Sequence, residues 1–214
     1  MTDLSENAVI HVVDDDASFR RSLVFLLESV GWPVAAHASA ADFLAACADG
    51  AAPPADLGCL VLDIRMPGMS GLELQQALRA RGWTPAVVFM TGHGDVELAV
   101  QAMKQGAFDF LEKPFRDQAL LDTVAAAVRH GSAQRAAAQR RAQAQALLDR
   151  LSPREREVAR LVALGLPNKL VARDLDISEK TVHVHRQHVM EKVEAGSAAE
   201  LARLMLQADP QGLD

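Results

Sequence analysis

LVLDIRMPGMSG, from Leu60 to Gly71, is the stretch of sequence that decides the fold. Three apolar residues lead directly into Asp63, and a turn rich in Pro and Gly follows before a helical pattern opens at Leu72. This order predicts a buried parallel strand that ends at Asp63 and passes through a loop into a helix. Ligands of open α/β sheets bind at the carboxyl ends of the strands, so Asp63 is a candidate metal ligand or nucleophile. Taken alone, it is equally consistent with a loop residue that caps the next helix.

The same alternation of apolar strand and amphipathic helix extends to both sides of this stretch. The expected strands are 9–13, 34–37, 59–62, 86–90 and 108–111, and the expected helices are 17–30, 39–47, 72–80, 96–104 and 117–129. Strands that alternate with helices predict a doubly wound parallel sheet. With the strand order 2-1-3-4-5, the ends of strands one and three face each other across a crevice.

A different pattern begins after Gly131 and Ser132. Residues 133–149 contain no Gly, Pro or β-branched residue and favour a helix with a thin apolar seam. An exposed linker helix that pairs weakly with a second copy and a plain solvated spacer both remain open. Four helical segments follow, the middle two joined by a tight turn, which predicts a small all-α helix-turn-helix domain. The predicted organisation is 1–131 for the α/β domain, 132–150 for a helical linker and 151–214 for the helical domain.

The charge distribution also separates these parts. The chain has a net charge of −6, made up of −8 as far as Gly131, +3 from Ser132 to Arg150, and −1 from Leu151 onward. An acidic front and a near-neutral back favour two modules with different partners. No apolar run reaches the roughly 18 residues of a membrane span. The polar N-terminus and the lack of a metal or redox cysteine spacing lead us to expect a cytoplasmic protein with no membrane partner.

Charged and polar side chains follow four of the five predicted strands. Strand one ends in Asp14 and Asp15, strand three in Asp63, strand four in Thr91 and strand five in Lys113. Three carboxylates in one crevice repel each other unless a cation neutralises them, and hard oxygen ligands suit Mg²⁺. A carboxylate beside Mg²⁺ and a lysine is a competent nucleophile toward phosphorus. Each residue alone could be a cap, a turn residue or a solvated charge, but all five at strand ends favour one pocket.

Residues 8–130 resemble a two-component receiver domain. The resemblance is carried by VDD at 13–15, LDIRMP at 62–67, MTGH at 90–93 and EKPF at 112–115. It implies that Asp63 accepts a phosphoryl group from a sensor histidine kinase. It also implies that Asp15 and Asp63 ligate Mg²⁺ directly and Asp14 through water, with the Arg65 carbonyl completing the protein ligands.

The same resemblance assigns further roles around the pocket. Thr91 and Lys113 would bind the phosphoryl oxygens, and the Lys113–Pro114 bond would be cis. Phe110 stands at the switch position of the family and would rotate inward as Thr91 moves. For Asp16 two roles stay open, a fourth pocket carboxylate or a helix cap. His93, close to Thr91, is a candidate for controlling how fast water reaches the acyl phosphate.

An enzyme of the haloacid-dehalogenase type is a competing interpretation. Such phosphatases also place a nucleophilic Asp after an apolar strand, but they need a second Asp two residues later as general acid. Arg65 occupies that position here. We therefore expect no enzymatic activity beyond self-phosphorylation and self-dephosphorylation at Asp63.

Residues 151–207 resemble the LuxR-type helix-turn-helix, and the whole chain resembles the FixJ-like response regulators. The carrying segments are LSPREREV at 151–158, GLPNK at 165–169 and ISEKTVHVHR at 177–186. Helical spacing predicts that Val182, Val189 and Val193 face the core while the opposite stripe enters the major groove. The candidate DNA contacts are Lys169, Lys180, Thr181, His183, Val184, Arg186, Gln187 and His188. For His183 a base contact and a solvated position both remain open, and His185 is expected to pack at the edge of the core.

The resemblance predicts a phosphorylation-dependent regulator of transcription. The helical domain has a net charge of −1, whereas nucleic-acid binders are usually basic. We therefore expect useful affinity for promoter DNA only when two modules bind two half-sites, joined by pairing of the receivers through residues 95–130. RNA polymerase is a further partner that relatives contact. The alternative is a phosphorylation-controlled regulator whose helical tail binds a protein rather than DNA.

Overall fold

The computed structural model describes residues 8–47, 53–54, 56–92 and 96–212, and His93 lies outside these ranges. The chain divides into two compact units, residues 1–134 and 135–214. Within the described ranges, no helix combines the length and the apolar character that crossing a membrane requires.

The first unit contains a five-stranded parallel sheet with the strand order 2-1-3-4-5, which confirms the predicted fold. Its strands are β1 (Val9–Val13), β2 (Val34–His37), β3 (Leu57–Asp63), β4 (Val87–Thr91) and β5 (Asp109–Glu112). The helices that alternate with them are α1 (Ala17–Ser29), α2 (Ala40–Ala46), α3 (Gly71–Ala80), α4 (Val96–Lys104) and α5 (Asp117–Leu148).

The central strands are apolar because helices cover both faces of the sheet. Every residue of β3 and of β4 is buried. Alternate residues of each strand enter two separate core clusters, so Leu60 and Leu62 pack in one while Cys59 and Val61 pack in the other. This double burial explains why these strands read as continuous apolar runs, without a polar face.

The helix that begins at Asp117 does not end where the sequence predicted. A break at Gly131–Ser132 was expected, but α5 continues through both residues to Leu148, and Gly131 is buried. A single glycine costs a helix only about 1 kcal/mol relative to alanine, and the buried residues Val124 and Val128 precede it on the core-facing side.

Residues 135–148 of α5, which are part of the predicted linker, belong to the second unit, and most of their side chains are exposed. Ala144 is buried, and the Arg141 Nε donates a hydrogen bond of 2.9 Å to the carbonyl oxygen of Ala208. Contacts of this kind compensate for the thin apolar seam of this segment.

The second unit adds four helices, α6 (Pro153–Ala163), α7 (Asn168–Asp174), α8 (Glu179–Lys192) and α9 (Ala198–Ala208). Ser152 and Glu155 form a capping box at the start of α6, as their spacing predicts. The turn between α7 and α8 contains Asp176 in the left-handed region, with a φ of 51°. Val182, Val189 and Val193 are buried in the core, as predicted.

Glu155 joins the start of α6 to the end of α8. Its carboxylate accepts the Ser152 backbone N–H at 2.8 Å and is bonded by the Lys192 Nζ at 2.8 and 2.7 Å. The Lys192 ammonium and the Ser152 N–H hold the pKa of the Glu155 carboxyl down to about 2. Glu155 is therefore an ionised and little-exposed side chain, and both of its carboxylate oxygens have partners.

Candidate functional site

Parallel register brings the strand ends of the first unit to one edge of the sheet. Val13 pairs with Leu62, and Asp63 pairs with Met90, so the residues that follow β1 and β3 are neighbours. The Lys113 backbone N–H donates to the Thr91 carbonyl at 2.7 Å and ties the end of β5 to the end of β4. The predicted pocket residues of four strands therefore meet at this edge.

Lys113 lies between the two buried carboxylates of the pocket. Its Nζ is 2.6 Å from Asp63 Oδ1 and 2.9 Å from Asp14 Oδ2. The nitrogen also lies 4.2 Å from the centre of the Phe19 ring, which adds a cation–π contact. One ammonium thus neutralises part of the charge of both carboxylates. The Lys113–Pro114 peptide bond is cis, also as predicted.

Burial and ion pairing have opposite effects on the pKa values of this pair. Burial raises the pKa of the Asp63 carboxyl, and Asp14 adds to the rise, while Lys113 only partly offsets it. Burial by itself would lower the pKa of the Lys113 ammonium, but hydrogen bonds to Asp63 and Asp14 outweigh it, and the pKa is raised. Because both pKa values are raised, the pocket binds a proton or another cation more readily than the separate side chains would. The Asp63 carboxylate is therefore more basic than usual.

The remaining acidic residues of the predicted cluster are placed differently. Asp15 is exposed, and among the described residues no group of three or more His, Cys, Asp or Glu side chains is arranged to hold a metal. The roles of Asp14, Asp15, Asp63 and the Arg65 carbonyl as magnesium ligands stay a prediction. Lys113 pairs with the two buried carboxylates, and Asp15 lies in water. Asp16 caps α1 by accepting the backbone N–H groups of Ser18 and Phe19, which settles the alternative left open above.

The residues present nevertheless fit a hard divalent cation. Asp14 and Asp63 offer buried carboxylate oxygens. Asp14 Oδ2 and Asp63 Oδ1 lie close to each other, because both contact the same Lys113 nitrogen. The Asp16 N–H donates to Asp14 Oδ1, and the Arg65 N–H donates to Asp63 Oδ2. Each of these two oxygens keeps a further lone pair that could bind a cation. With Asp15 on the rim, the donor set is all oxygen, which is the chemistry of a magnesium site.

Thr91, Arg65 and Phe110 surround the pocket in different ways. Thr91 is buried, and its Oγ1 donates to the Gly92 carbonyl oxygen at 3.0 Å. The Arg65 backbone N–H donates to Asp63 Oδ2 at 2.8 Å, while the Arg65 residue is exposed. Phe110 is 41% exposed, which is unusual for so large an apolar side chain. Its position on the surface is the outward conformation that a switch residue needs, although the switch itself stays a prediction.

Gly71 is a functional position that the sequence analysis did not identify. A Cβ at this residue would lie 2.3 Å from the Asp63 carbonyl oxygen and 3.1 Å from side-chain atoms of Leu62 and Phe89. The Gly71 N–H donates to the Ile64 carbonyl oxygen at 3.0 Å, so the first turn of α3 rests directly on the end of β3. The sequence signal that could have identified it is a glycine at the first position of a helix. No turn requires a glycine there, so close packing is the remaining reason for it.

In the second unit, α8 displays most of the predicted DNA contacts on its surface. The exposed members of the set are Lys169 on α7 and Lys180, Thr181, His183, Val184, Gln187 and His188 on α8. Val184 is 43% exposed, which leaves an apolar side chain in the middle of this polar stripe. His185 is half-buried, as expected for a residue at the edge of the core.

Other members of the set already have partners within the unit. Arg186 is half-buried, and its guanidinium donates to the Asn168 Oδ1 at 3.2 Å. Thr181 shares a hydroxyl hydrogen bond of 2.8 Å with Ser178, the cap of α8. Gln187 donates to Glu191 at 3.1 Å. Arg186 therefore joins α8 to α7, so part of its role is structural, while its remaining donors can still reach a phosphate.

Comparison with known proteins agrees with both sites. The family described as response regulator receiver domain matches residues 10–125, and the family described as bacterial regulatory proteins, luxR family, matches residues 149–205. The transcriptional regulatory protein FixJ of Azorhizobium caulinodans is 49% identical over 205 residues, which cover 96% of this chain and 95% of that protein. Nodulation protein W of Bradyrhizobium diazoefficiens is 47% identical over 203 residues, which cover 95% of this chain and 87% of that protein.

Solved structures give the same result. The low-resolution structure of the response regulator StyR has a TM-score of 0.79 and 43% identity, and covers 92% of this chain and 97% of its own. Full-length FixJ from B. japonicum has a TM-score of 0.57 and 45% identity, and covers 94% of this chain and 97% of its own. The chain therefore belongs to the FixJ-like two-component response regulators, in which a receiver domain is followed by a LuxR-type DNA-binding domain.

Proposed function

We propose that phosphorylation of Asp63 by a sensor histidine kinase switches this chain into a dimer that binds promoter DNA and regulates transcription. The observation that carries the proposal is the buried contact of Asp63 and Asp14 with one ammonium, that of Lys113. A basic carboxylate that is screened by a cation can approach the negatively charged oxygens of a phosphoryl group.

The chemical step follows from this arrangement. An Asp63 oxygen attacks the phosphorus of a phosphohistidine, and the new O–P bond forms as the N–P bond breaks. The imidazole of the kinase leaves with the bonding electron pair and takes up a proton. Lys113 stays beside the acyl phosphate and balances its added charge. A magnesium ion held by Asp15 and Asp63, with Asp14 through water and the Arg65 carbonyl, would supply further charge neutralisation.

A groove beside the pocket supports docking of the kinase. It lies between α1 and the loop that follows β5, and Phe19, Phe25 and Phe115 line it. Phe25 is 76% exposed, although it is a large apolar side chain. An apolar surface next to the route to Asp63 fits a protein phosphodonor better than a small phosphate ester.

Thr91 connects the phosphorylated pocket to the surface. Within the described residues its hydroxyl donates to the neighbouring Gly92 carbonyl oxygen alone, so it can turn toward a new phosphoryl oxygen. Thr91 and Phe110 lie on adjacent strands, where Phe89 is the register partner of Phe110. Phe110 lies two positions before Glu112, the register partner of Thr91, so a movement of Thr91 would change the packing around Phe110.

The surface around Phe110 carries further apolar side chains that dimerisation would cover. Val100 and Met103 on α4 are 49% and 40% exposed, close to the 41% of Phe110. These residues fall inside the predicted dimer surface, residues 95–130. Pairing of two receivers would place two copies of α8 on two half-sites and compensate for the weak charge of each module.

The first experiment tests the phosphoacceptor. Asp63→Asn is expected to abolish acid-labile phosphorylation by acetyl phosphate in the presence of Mg²⁺. Asp16→Asn is the matched control, because asparagine is also a good helix cap and the fold is retained. Asp16→Asn should be labelled normally, and equal labelling of Asp63→Asn would refute the site.

The second experiment tests the switch. Multi-angle light scattering of the full chain should show the mass doubling when beryllofluoride and Mg²⁺ are added. The double variant Val100→Ser, Met103→Ser is expected to stay monomeric while it is phosphorylated at the normal rate. A constant mass of the wild-type chain would rule this switch out.

The third experiment separates promoter binding from a protein-interaction function. The phosphorylated chain should enrich specific promoter fragments from a fragmented genome, and His183→Ala should weaken that enrichment. The alternative regulator would enrich no fragment and would instead retain a protein such as RNA polymerase. The names of the relatives as transcriptional regulatory proteins support the DNA-binding function.

A further inference from the structure

A second cavity lies at the edge of the sheet opposite Asp63. It is found at the amino ends of β4 and β5, between the last turns of α3 and residues 130–134 of α5, and its volume is about 450 Å³. Trp83, Phe108 and His130 contribute aromatic walls, and Pro85 and Leu78 contribute apolar ones. This volume is within the range of small-molecule sites, about 300–1,000 Å³.

Gln75 is the unusual residue of this cavity. It lines the cavity and is only 3% exposed, and its Oε1 has no hydrogen-bond partner among the described residues. A buried amide oxygen without a partner is destabilising, and the neighbouring positions Leu74 and Leu78 on the same helix are apolar. A leucine at residue 75 would satisfy the core, so the amide points to a group outside the chain that donates a hydrogen bond.

The walls define the shape of that group. Trp83 is almost fully buried, and the Phe108 and His130 rings lie 5.1 Å apart at 44° to each other. Flat apolar surfaces of this kind favour a planar ring. Among the described residues that line the cavity there is no Asp or Glu, while the guanidinium of Arg79 lies at its rim and donates to the Gln105 carbonyl oxygen. A cationic ligand would therefore lack a counter-charge.

We propose that this cavity binds a small, uncharged, planar aromatic molecule whose N–H or O–H group donates a hydrogen bond to Gln75 Oε1. The site is separate from the pocket of Asp63, because it lies at the amino ends of the strands while Asp63, Thr91 and Lys113 lie at the carboxyl ends.

Indole and benzothiophene are the probes for the test, because they have nearly the same shape and only indole has an N–H donor. NMR titration of the full chain should show the side-chain signal of Trp83 moving with indole, while that of Trp32, which is outside the cavity, stays in place. Indole should bind about tenfold more tightly than benzothiophene, the difference that one net hydrogen bond provides. Equal binding of the two probes, or no movement of the Trp83 signal, would overturn the proposal and leave a cavity that holds water only.

Two variants isolate the amide. Gln75→Leu should reduce the affinity for indole to that for benzothiophene and should raise the unfolding temperature of the free chain, since it removes the unpartnered oxygen. Gln76→Leu is the matched control, because Gln76 is the next residue of α3 and is exposed. It should change neither quantity. Unchanged binding of indole by Gln75→Leu would contradict the assignment, and the comparison of the two probes on the wild-type chain tests it even if this variant fails to fold.

Discussion

Replacing Gly71 with alanine should push the phosphoacceptor out of position. The added Cβ would lie 2.3 Å from the Asp63 carbonyl oxygen, so it would have to retreat by roughly 1 Å to reach van der Waals distance. The contact is with backbone rather than with a mobile side chain end, and Leu62 and Phe89 close the other directions at 3.1 Å. Either α3 or the end of β3 must move.

The expected loss of stability follows from these contacts. Overpacking of this kind costs about 1–3 kcal/mol, and the better helix propensity of alanine returns less than about 1 kcal/mol in the first turn. A net cost of about 1–2 kcal/mol corresponds to a fall of roughly 4–8 °C in the unfolding temperature of a unit of this size. Trp32 and Trp83 are the two tryptophans of the chain and both lie in the first unit, so fluorescence reports its unfolding selectively.

The functional loss should exceed the loss of stability. A displacement of 1 Å at a reacting group can reduce a rate by about 100-fold, so the initial rate of phosphorylation by acetyl phosphate should fall at least about tenfold at a temperature where the variant is folded. Gly82→Ala is the control at the other end of α3. It has a φ of +76° with nothing near its Cβ, so it loses about 1–2 kcal/mol through backbone strain alone. If both variants were phosphorylated at the wild-type rate, the close approach of α3 would have no role in placing Asp63.

Two further predictions concern charged groups. Lys113→Met should lower the unfolding temperature of the first unit in the absence of divalent cations, because Asp14 and Asp63 lose their shared ammonium. For the same reason, Mg²⁺ should raise the unfolding temperature of the variant by more than that of the wild type. An equal rise in the two proteins would contradict this. Glu155→Gln should destabilise the second unit by about 1–3 kcal/mol in urea unfolding followed by NMR, whereas Glu157→Gln, at an exposed pair, should cost less than about 1 kcal/mol. Because the folded-state pKa of Glu155 is lowered to about 2, its contribution is complete above the ordinary pKa and is lost as the pH falls toward 2. The difference between wild type and Glu155→Gln should therefore shrink over this range, and a constant difference would refute the ion pair as its source.

The fold could be predicted from the sequence because several local signals agreed. Continuous apolar runs indicated doubly buried strands, and Ser152 with Glu155 marked the start of a helix through a spacing that has one geometric meaning. The end of α5 could not be predicted in this way. A glycine is common at the end of a helix, but the cost of one glycine inside a helix is small beside the burial of Gly131 itself and of Ala127 and Val128 before it. Only the packed structure shows that burial.

The candidate site also has features that the sequence predicted and features that only the packed structure shows. The residue types at the strand ends indicated which side chains gather, and the structure brings Asp14, Asp63 and Lys113 into contact, while the Thr91 hydroxyl bonds to the Gly92 carbonyl oxygen. Sequence spacing could not show that Lys113 contacts Asp14 and Asp63 while Asp15 is exposed. It could not show that Gln75 is buried without a partner either, because that depends on the shape of a cavity between elements that are distant in the chain.

Glu155 performs two tasks with one side chain, and this restricts what can replace it. Aspartate could still accept the Ser152 N–H but is too short to reach Lys192 at the same time, while glutamine keeps the length and loses the charge. The carboxylate that closes the capping box of α6 is thus also the group that holds the last turn of α8. A library that randomises residue 155 and selects for promoter occupancy should therefore return mostly glutamate, although the Glu155 carboxylate is occupied by Ser152 and Lys192 and is little exposed.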